Sequence, residues 1–483
     1  MMKMKSEKKN RRESREEKKR RRKRLCRRRQ RSDYSKAREE DSSPSVLWDA
    51  IASDDDICFR HVLPRLNRTD VKFLFEVNTE TRALIKRSSR KSELKKEFRV
   101  EEMSSISTLE FAWENRSLWP IWWDETDFCE KVAGTNKLEL LKWAREVKKC
   151  EWDKKTIAVA ARQGNLEMVK YCVANQCPID VFSCRNAARN GHLKCLKYLH
   201  EDVKALWDWE IASWAAKNGH LHILEYLVER KYDQYNELAC VFAAENGHLE
   251  CLKYLHEVAK APWDVYTAFY VAKNGHLHIL EYLVEREYDE YDKYACTCAA
   301  EKGHLDCLKY LHEEAKAPWD LDTACGAASN GHLHILEYLV ERKYDEFSKF
   351  ACAYAAEKGQ LNCLKYLHEI AKAPWGLETA SWAAKNGHLH ILEYLVEREY
   401  DQYDEYCCTG AAEKGHLNCL KYLREVAEAP WNSEAVRMAR EYNHSECLQY
   451  LLDNDCPLPE GWRYERGELY TIKSPREELL SSR

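Results

Sequence analysis

A sequence string that recurs at a fixed interval constrains the fold of this chain more than any other feature. The thirteen residues NGHLHILEYLVER begin at Asn218 and recur unchanged from Asn274, Asn330 and Asn386, with 56 residues from one start to the next. Between these copies lies a sister unit with the core CLKYLHE, first seen at Cys195. We call the two kinds Glu-type and Lys-type repeats, after the residue that precedes tyrosine in each core. Units of 28 residues cannot bury their apolar sides alone, so a stacked solenoid is predicted.

Within each unit, the residue types predict two short helices joined by a tight turn. An aromatic residue and a short polar residue open most units, as at Trp263 and Asp264, and the polar side chain is a good N-cap. The first helix ends in alanines such as Ala243, and Gly247 follows where a left-handed C-cap is needed. Leucines spaced three and four apart mark the second helix. With only 16 Gly and 11 Pro in 483 residues, an all-α fold is predicted.

The segment AAENGHLECLKYLHE, from Ala243 to Glu257, resembles the ankyrin repeat, whose core is similar to A-A-x-x-G-H-L. The resemblance covers about twelve helix-pair units over residues 123–457. It implies an ankyrin-like α-solenoid that binds another protein in the concave groove lined by its first helices. The family's T-P-L-H signature is absent and the unit is shorter than the usual ~33 residues, so we expect its protruding fingers to be reduced to loops. Residues 99–122 should form a linker and half-repeat cap, and residues 458–483 a polar tail or C-terminal cap.

Variation among the repeats singles out candidate partner-binding residues. The second helices are near-identical copies, whereas the first helices differ and carry large aromatic side chains, which dominate binding energy in many interfaces. We predict that a bound protein contacts Trp214, Lys217, Phe242, Glu245, Tyr270, Tyr354 and Trp382. The two charged members lie two residues before the turn glycine and match groove-facing sites of the resembled family. The alternative is that these positions vary because packing between repeats varies.

Equivalent positions of successive second helices alternate in charge. Lys197, Glu225, Lys253 and Glu281 begin a series that continues to Lys421. Neighbouring helices lie about 8–10 Å apart, so each lysine is predicted to lie between two glutamates. A slip of one repeat would place like charges side by side, and we expect this ladder to fix the register of the stack.

No group of residues points to catalysis or to a cofactor. Eleven cysteines, among them Cys240 and Cys251, fall at periodic positions where small apolar residues are expected, and no CxxC pair has the spacing of a zinc site. His220 and His222, two residues apart in a helix, should face different directions and not share an ion. Sequence motifs for phosphate loops, zinc proteases and nucleophile elbows are missing. We therefore predict a non-enzymatic protein without metal or cofactor.

The N-terminal segment and the rest of the chain carry opposite charge. Residues 1–31 contain 18 Lys and Arg against 4 Glu, and the remainder has 59 basic and 77 acidic side chains. Residues 1–45 are predicted to form a disordered basic arm. Its proposed roles are nuclear import, phosphate contact with nucleic acid, a solubilising tail, or a tail that folds back on the acidic body. The residues predicted to direct import are Lys18, Lys19, Arg20, Arg21, Arg22, Lys23 and Arg24.

Charge and hydropathy also indicate compartment and partners. No apolar run approaches the roughly 18 residues of a membrane span, and the N-terminus has no signal-peptide core. We expect an intracellular protein, nuclear or cytoplasmic, that is monomeric and independent of membranes. Because the body is acidic, nucleic-acid binding is disfavoured outside the basic arm.

A separate helical module is predicted for residues 46–98. Its stretch Asp56–Ile85, DICFRHVLPRLNRTDVKFLFEVNTETRALI, is similar to an F-box. That family connects a substrate-binding domain to a cullin ubiquitin ligase, so the resemblance implies a cullin-ligase linker protein as a partner. The alternative is a helical cap for the repeat stack. Two functions follow: an interaction scaffold, or a substrate adaptor for ubiquitination.

Overall fold

A computed structural model of the protein describes residues 59–60, 63–66, 68–77, 79–95, 99–116, 119–465 and 467–471. The predicted basic arm, including its import residues 18–24, lies outside the described residues, as do parts of the F-box-like segment. The chain divides after Cys150 into two compact units. No helix among the described residues is long and apolar enough to span a bilayer.

The first unit consists of short helices wherever it is described. Its 3₁₀-helical turns are Leu63–Arg65, Ser89–Lys95 and Val100–Glu102, and its α-helices are α1 (Arg68–Val77), α2 (Thr79–Arg87), α3 (Ile106–Glu114), α4 (Glu125–Gly134) and α5 (Leu138–Lys142), with a π-helical turn at Trp143–Val147. Leu63, Val71, Leu84 and Ile85 form a small buried cluster around α1 and α2. Helices α4 and α5 make one helix pair of the predicted repeat type.

Eleven further helix pairs follow in the second unit. The first helices are α6 (Lys154–Arg162), α8 (Val181–Arg189), α10 (Glu210–Lys217), α12 (Glu237–Glu245), α14 (Val265–Asn274), α16 (Lys293–Lys302), α18 (Leu321–Ser329), α20 (Lys349–Glu357), α22 (Leu377–Lys385), α24 (Glu405–Lys414) and α26 (Ser433–Glu441). The second helices are α7 (Leu166–Ala174), α9 (Leu193–Lys197, then a π-helical turn at Tyr198–Asp202), α11 (Leu221–Glu229), α13 (Leu249–Glu257), α15 (Leu277–Glu285), α17 (Leu305–Glu313), α19 (Leu333–Glu341), α21 (Leu361–Glu369), α23 (Leu389–Glu397), α25 (Leu417–Glu425) and α27 (Ser445–Asp453). The predicted all-α array of about twelve helix pairs is confirmed.

The helices begin and end where short-range signals place them. Asp264 accepts the Tyr266 backbone N–H at 3.1 Å and forms a capping box at the start of α14. By contrast, Asn236 and Ser348 occupy N-cap positions without a side-chain cap bond. First helices pack on the first helices of both neighbouring repeats, whereas second helices pack most closely where a Lys-type repeat follows a Glu-type repeat. Alanines such as Ala243 are fully buried between them, so the core of the second unit is a continuous line of small and leucine side chains.

The loops between repeats, where the resembled family carries protruding fingers, are short, as expected. No strand occurs within residues 151–457, all of which the structure describes. Each loop turns through a residue with positive φ that is not glycine, such as Lys231 (56°) and Lys260 (55°).

A β-hairpin follows the last helix pair. Strands β1 (Trp462–Glu465) and β2 (Glu468–Thr471) pair antiparallel, with Trp462 opposite Thr471. The Arg440 guanidinium lies 4.7 Å from the Trp462 ring centroid, and Gln449 Nε2 donates to the Tyr464 hydroxyl at 3.0 Å. The hairpin thus contacts both helices of the last pair, although the sequence analysis predicted no strands.

Candidate partner-binding surface

Each first helix packs its small residues against neighbouring helices and leaves one side accessible. In α10, Ala212 and Ala215 are fully buried, whereas Glu210, Trp214 and Lys217 are partly exposed. These three positions are four and three residues apart and share one side of a helix. We call the surface that they form across the second unit the first-helix face.

The central row of the first-helix face consists of the residues equivalent to Trp214, spaced 28 apart. From α8 to α26 the row reads Asn186, Trp214, Phe242, Tyr270, Cys298, Gly326, Tyr354, Trp382, Gly410 and Met438. Two small residues, Cys298 and Gly326, divide it. The N-terminal aromatic segment lies on α10, α12 and α14, and the C-terminal aromatic segment lies on α20 and α22.

Five of the seven predicted contact residues lie in the N-terminal aromatic segment, and four of them lie together on α10 and α12. The rings of Trp214 and Phe242 are 6.3 Å apart. Lys217 Nζ lies 4.7 Å from the Phe242 ring centroid and 3.7 Å from the Glu245 carboxylate. Its Nζ also lies 5.6 Å from the Trp214 ring centroid, so the ammonium group contacts both rings and joins two repeats through its charge.

The other predicted residues lie further along the row. The Tyr270 ring, one repeat beyond Phe242, is 5.0 Å from that of Phe269. Tyr354 and Trp382 form a second pair with ring centroids 5.3 Å apart, and Tyr354 is 36% exposed. Two aromatic pairs, Trp214 with Phe242 and Tyr354 with Trp382, thus pack between adjacent repeats, and these residues remain partly exposed.

The sequence analysis did not single out a second set of exposed aromatic residues. Tyr266, Tyr294, Phe350 and Tyr406 are 57%, 53%, 38% and 72% exposed. Each lies four residues before the central row, one turn nearer the start of its helix. The 28-residue alignment contained this signal, since all four fall at one equivalent position.

Two cations that contact the central row were also missed. The Arg189 guanidinium carbon lies 4.1 Å from the Trp214 ring centroid, and Lys273 Nζ lies 5.7 Å from that of Tyr270. Arg189 and Lys273 occupy the same helix position as Lys217, near the end of the first helix. Cation–π contacts of this kind contribute about 0.5–1 kcal/mol at exposed sites.

The predicted charge ladder on the second helices is wrong. Lys253 pairs at 3.1 Å with Glu250 of its own helix, and its Nζ lies 5.9 Å from the Tyr282 ring of the next repeat. Among the described residues, no ion pair joins ladder positions such as Lys253 and Glu281. An exposed ion pair is weak, and the aromatic ring gives the lysine stem an apolar surface to cover.

A different network connects each Lys-type repeat to the Glu-type repeat that follows. Glu257 accepts from the Arg286 guanidinium at 2.8 Å and from the Tyr282 hydroxyl at 3.1 Å. Hydrogen bonding from Arg286 lowers the pKa of Glu257, and burial raises the pKa of Tyr282 to about 12. The same network recurs at Glu201 with Tyr226 and Arg230, at Glu313 with Tyr338 and Arg342, and at Glu369 with Tyr394 and Arg398.

Both histidines of each Glu-type string are structural. His220 Nε2 lies 3.1 Å from the Arg189 carbonyl and His222 Nε2 lies 3.0 Å from the Gly191 carbonyl, so both rings contact the preceding repeat. Their centroids are only 5.8 Å apart because His220 is the N-cap and not part of the helix, which corrects the predicted divergence. Burial lowers the pKa of His220. The described residues contain no group of three or more potential metal ligands.

The cysteines pack as small apolar residues, as predicted. The nineteen cysteines in the described part of the chain are free and buried. Burial raises the pKa of Cys240 to about 12. The thiolate, which is the reactive and metal-binding form, is therefore disfavoured there.

Stacked helix pairs with a variable first-helix face define a helical repeat protein. Two family models match the chain. One, for ankyrin repeats in three copies, matches residues 184–264, 324–406, 353–435 and 380–459, and the other, for ankyrin repeats in many copies, matches residues 157–200, 266–312 and 296–340. Together these matches cover most of the second unit, and the chain belongs to the ankyrin repeat proteins.

The remaining comparisons add no function. No curated protein matches the chain. Similar solved structures include the pentatricopeptide repeat protein PPR10 in complex with an 18-nucleotide psaJ RNA element, with 12% identity, a TM-score of 0.36, and coverage of 85% of this chain and 73% of that one. PPR10 from maize gives 9% identity, a TM-score of 0.25, and coverage of 74% and 67%. TM-scores at this level carry no argument about the ligand of this chain.

Proposed function

We propose that this chain is a scaffold that binds a partner protein on its first-helix face. The observation that carries the proposal is that the aromatic row stays partly exposed although the alanines beside it already fill the core. Tyr354 is 36% exposed while Ala355 beside it is fully buried. Tryptophan and tyrosine are the residues that most often dominate binding energy. This function involves no catalytic step.

The contrast between the two helices of each repeat supports the same proposal. The second helices repeat the same network of hydrogen bonds, as at Glu257 and Glu313, and this network holds neighbouring repeats together. The first helices change their exposed residues from one repeat to the next, while their buried alanines remain. A surface that varies on a constant framework is suited to recognise one partner.

The experiment is photo-crosslinking in cells with a photoreactive phenylalanine analogue in place of single residues. The analogue at Tyr270 or Tyr354 should crosslink to a protein, and the analogue at Glu229, exposed on a second helix, should not. Capture should fall when Trp214→Ala is added, because truncating a dominant contact costs about 2 kcal/mol or more, roughly thirtyfold in affinity. Equal capture from both surfaces, or capture insensitive to Trp214→Ala, would contradict the proposal.

The adaptor function remains a prediction. The described part of the F-box-like segment forms helices around Leu63, Val71, Leu84 and Ile85. A cluster of this kind also suits a helical cap, so it favours neither interpretation. Recovery of a cullin-ligase linker protein with the full chain, and its loss after Val71→Asp, would support the adaptor.

A further inference from the structure

We infer that the N-terminal aromatic segment binds an extended, acidic peptide segment of the partner with an apolar side chain at every third residue. The inference rests on the proposed function and specifies the chemistry of the partner. It comes from three properties of the segment: the positions of its rings, the charges that contact those rings, and the distance between neighbouring repeats.

The rings of the segment belong to three successive repeats. Trp214, Phe242 and Tyr270 occupy one equivalent position and are all partly exposed. The planes of Trp214 and Phe242 are inclined at 43° with centroids 6.3 Å apart, so the rings lean on each other and are not stacked face to face. Because inclined rings do not cover each other fully, part of a ring face stays open, and an aliphatic or aromatic side chain of a ligand can pack there.

Positive charge without an acidic partner is found at the two ends of this segment. Arg189 contacts Trp214 at one end and Lys273 contacts Tyr270 at the other, and neither cation pairs with a carboxylate among the described residues. The cation between them, Lys217, is already paired with a glutamate at 3.7 Å. The segment therefore presents two available cations separated by apolar rings.

The C-terminal aromatic segment differs in this respect. Lys385 Nζ lies 3.0 Å from the Glu413 carboxylate, and Lys358 Nζ lies 2.9 Å from that of Glu357. The corresponding charges there are neutralised within the protein. Charge complementarity consequently favours an acidic ligand at the N-terminal segment alone.

The repeat spacing sets the conformation and length of the ligand. Packed helices lie about 8–10 Å apart, and the positions of Arg189 and Lys273 are three repeats apart, about 24–30 Å. An extended peptide in the polyproline II conformation advances about 3.1 Å per residue and presents every third side chain on the same side, so it gains about three residues per repeat. Apolar side chains three residues apart then meet successive rings, while carboxylates near the two ends meet the two cations.

A nucleic-acid strand would fit the same surface less well. It carries a charge on every nucleotide, whereas available cations lie only at the ends of the segment. The other charged groups that contact or flank the rings are paired within the protein, as Lys217 is with Glu245 and Glu210 is with Arg185. A continuous phosphate backbone would therefore find, among the described residues, no further available cation between the two ends.

The test is a selection of displayed random peptides, about twelve residues long, on the intact chain. We expect selected peptides to be enriched in Asp and Glu and to carry apolar residues three apart. A synthetic copy of a selected peptide should bind Arg189→Gln/Lys273→Gln about fivefold to tenfold more weakly in fluorescence anisotropy, as two exposed ion pairs allow. Lys385→Gln, which removes a paired cation, is the matched control and should change affinity less than about twofold.

Several outcomes would overturn the inference. These are an absence of selected peptides, enrichment of neutral or basic peptides, and equal affinity for the parent chain and Arg189→Gln/Lys273→Gln. Binding of a labelled oligouridine that depends on these two cations would also overturn it in favour of nucleic acid. If photo-crosslinking at Tyr270 or Tyr354 still captures a protein, the proposed scaffold function stands without this specificity.

Discussion

Replacement of Gly247 by alanine tests how neighbouring repeats are held together. Gly247 has φ of 77° at the turn between α12 and α13. A Cβ at this position would lie 2.9 Å from Cε1 and 3.1 Å from Nδ1 of His276 in the following repeat. The ring of His276 is held by its Nε2, which is 3.1 Å from the Glu245 carbonyl. The new methyl group therefore conflicts both with its own backbone and with the contact between two repeats.

The expected loss in the free energy of unfolding follows from the backbone strain and from the displaced histidine ring. A residue with a Cβ loses about 1–2 kcal/mol in the left-handed conformation. Displacement of the His276 ring removes a hydrogen bond with a net value of about 0.5–1.5 kcal/mol. We expect Gly247→Ala to lower the free energy of unfolding by about 2–3 kcal/mol.

The assay is urea unfolding of the full chain, followed by tryptophan fluorescence. Lys231→Ala is the matched control, because Lys231 already has a Cβ at a positive φ of 56°, and its change should stay within about 0.5 kcal/mol. Combining Gly247→Ala with His276→Ala should be less destabilising than the sum of both, since the ring that clashes is gone. Equal midpoints for Gly247→Ala and Lys231→Ala, or strict additivity of the double variant, would refute the reasoning.

Three further predictions concern contacts between repeats. Tyr291→Phe should raise the free energy of unfolding by about 1 kcal/mol in urea titrations, because the buried hydroxyl has no hydrogen-bond partner among the described residues and Phe347 stands at the equivalent position. A loss of stability would contradict this. Burial lowers the pKa of His276 below its ordinary value of 6.5, so the unfolded chain binds more protons below about that pH and stability should fall on acidification. His276→Gln, which copies Gln360, should reduce this loss of urea midpoint, and an unchanged pH profile would count against it. Glu257→Gln should lower the melting temperature, and the difference from the parent chain should shrink in high salt; a salt-independent difference would exclude an electrostatic origin.

Most of the fold could be predicted from sequence because its signals act over a few residues. Asp264 precedes α14 and caps it, and Gly247 follows α12 with the expected left-handed backbone. The repetition then extends each local assignment to the next repeat, since identical units can bury their apolar sides only against one another. Even the first-turn aromatic residues, such as Tyr266, could have been found from the same alignment.

The contacts between repeats were harder to predict because they join positions that are not equivalent. Glu257 and Arg286 are 29 residues apart. The sequence alignment compared residues 28 apart and therefore predicted ion pairs between Lys and Glu at equivalent positions, where none form among the described residues. Only the structure shows that the side chains lean into the next repeat. The hairpin at Trp462–Thr471 was missed for another reason. Alternating side chains around Gly467 indicate strands, but the sequence analysis predicted only a polar tail or C-terminal cap for residues 458–483.

The structure also gives a physical reason for a 56-residue block built from two different repeats. From a Lys-type to a Glu-type repeat, Glu257 and its partners bridge the second helices, and His256 stacks on Trp263 at 3.6 Å. From a Glu-type to a Lys-type repeat, the second helices approach each other more closely. If a Lys-type repeat replaced the Glu-type repeat that follows Glu257, this glutamate would lose its arginine partner. This constraint acts on the second helices, where the copies are nearly identical, and leaves the exposed positions of the first helices able to vary for a partner.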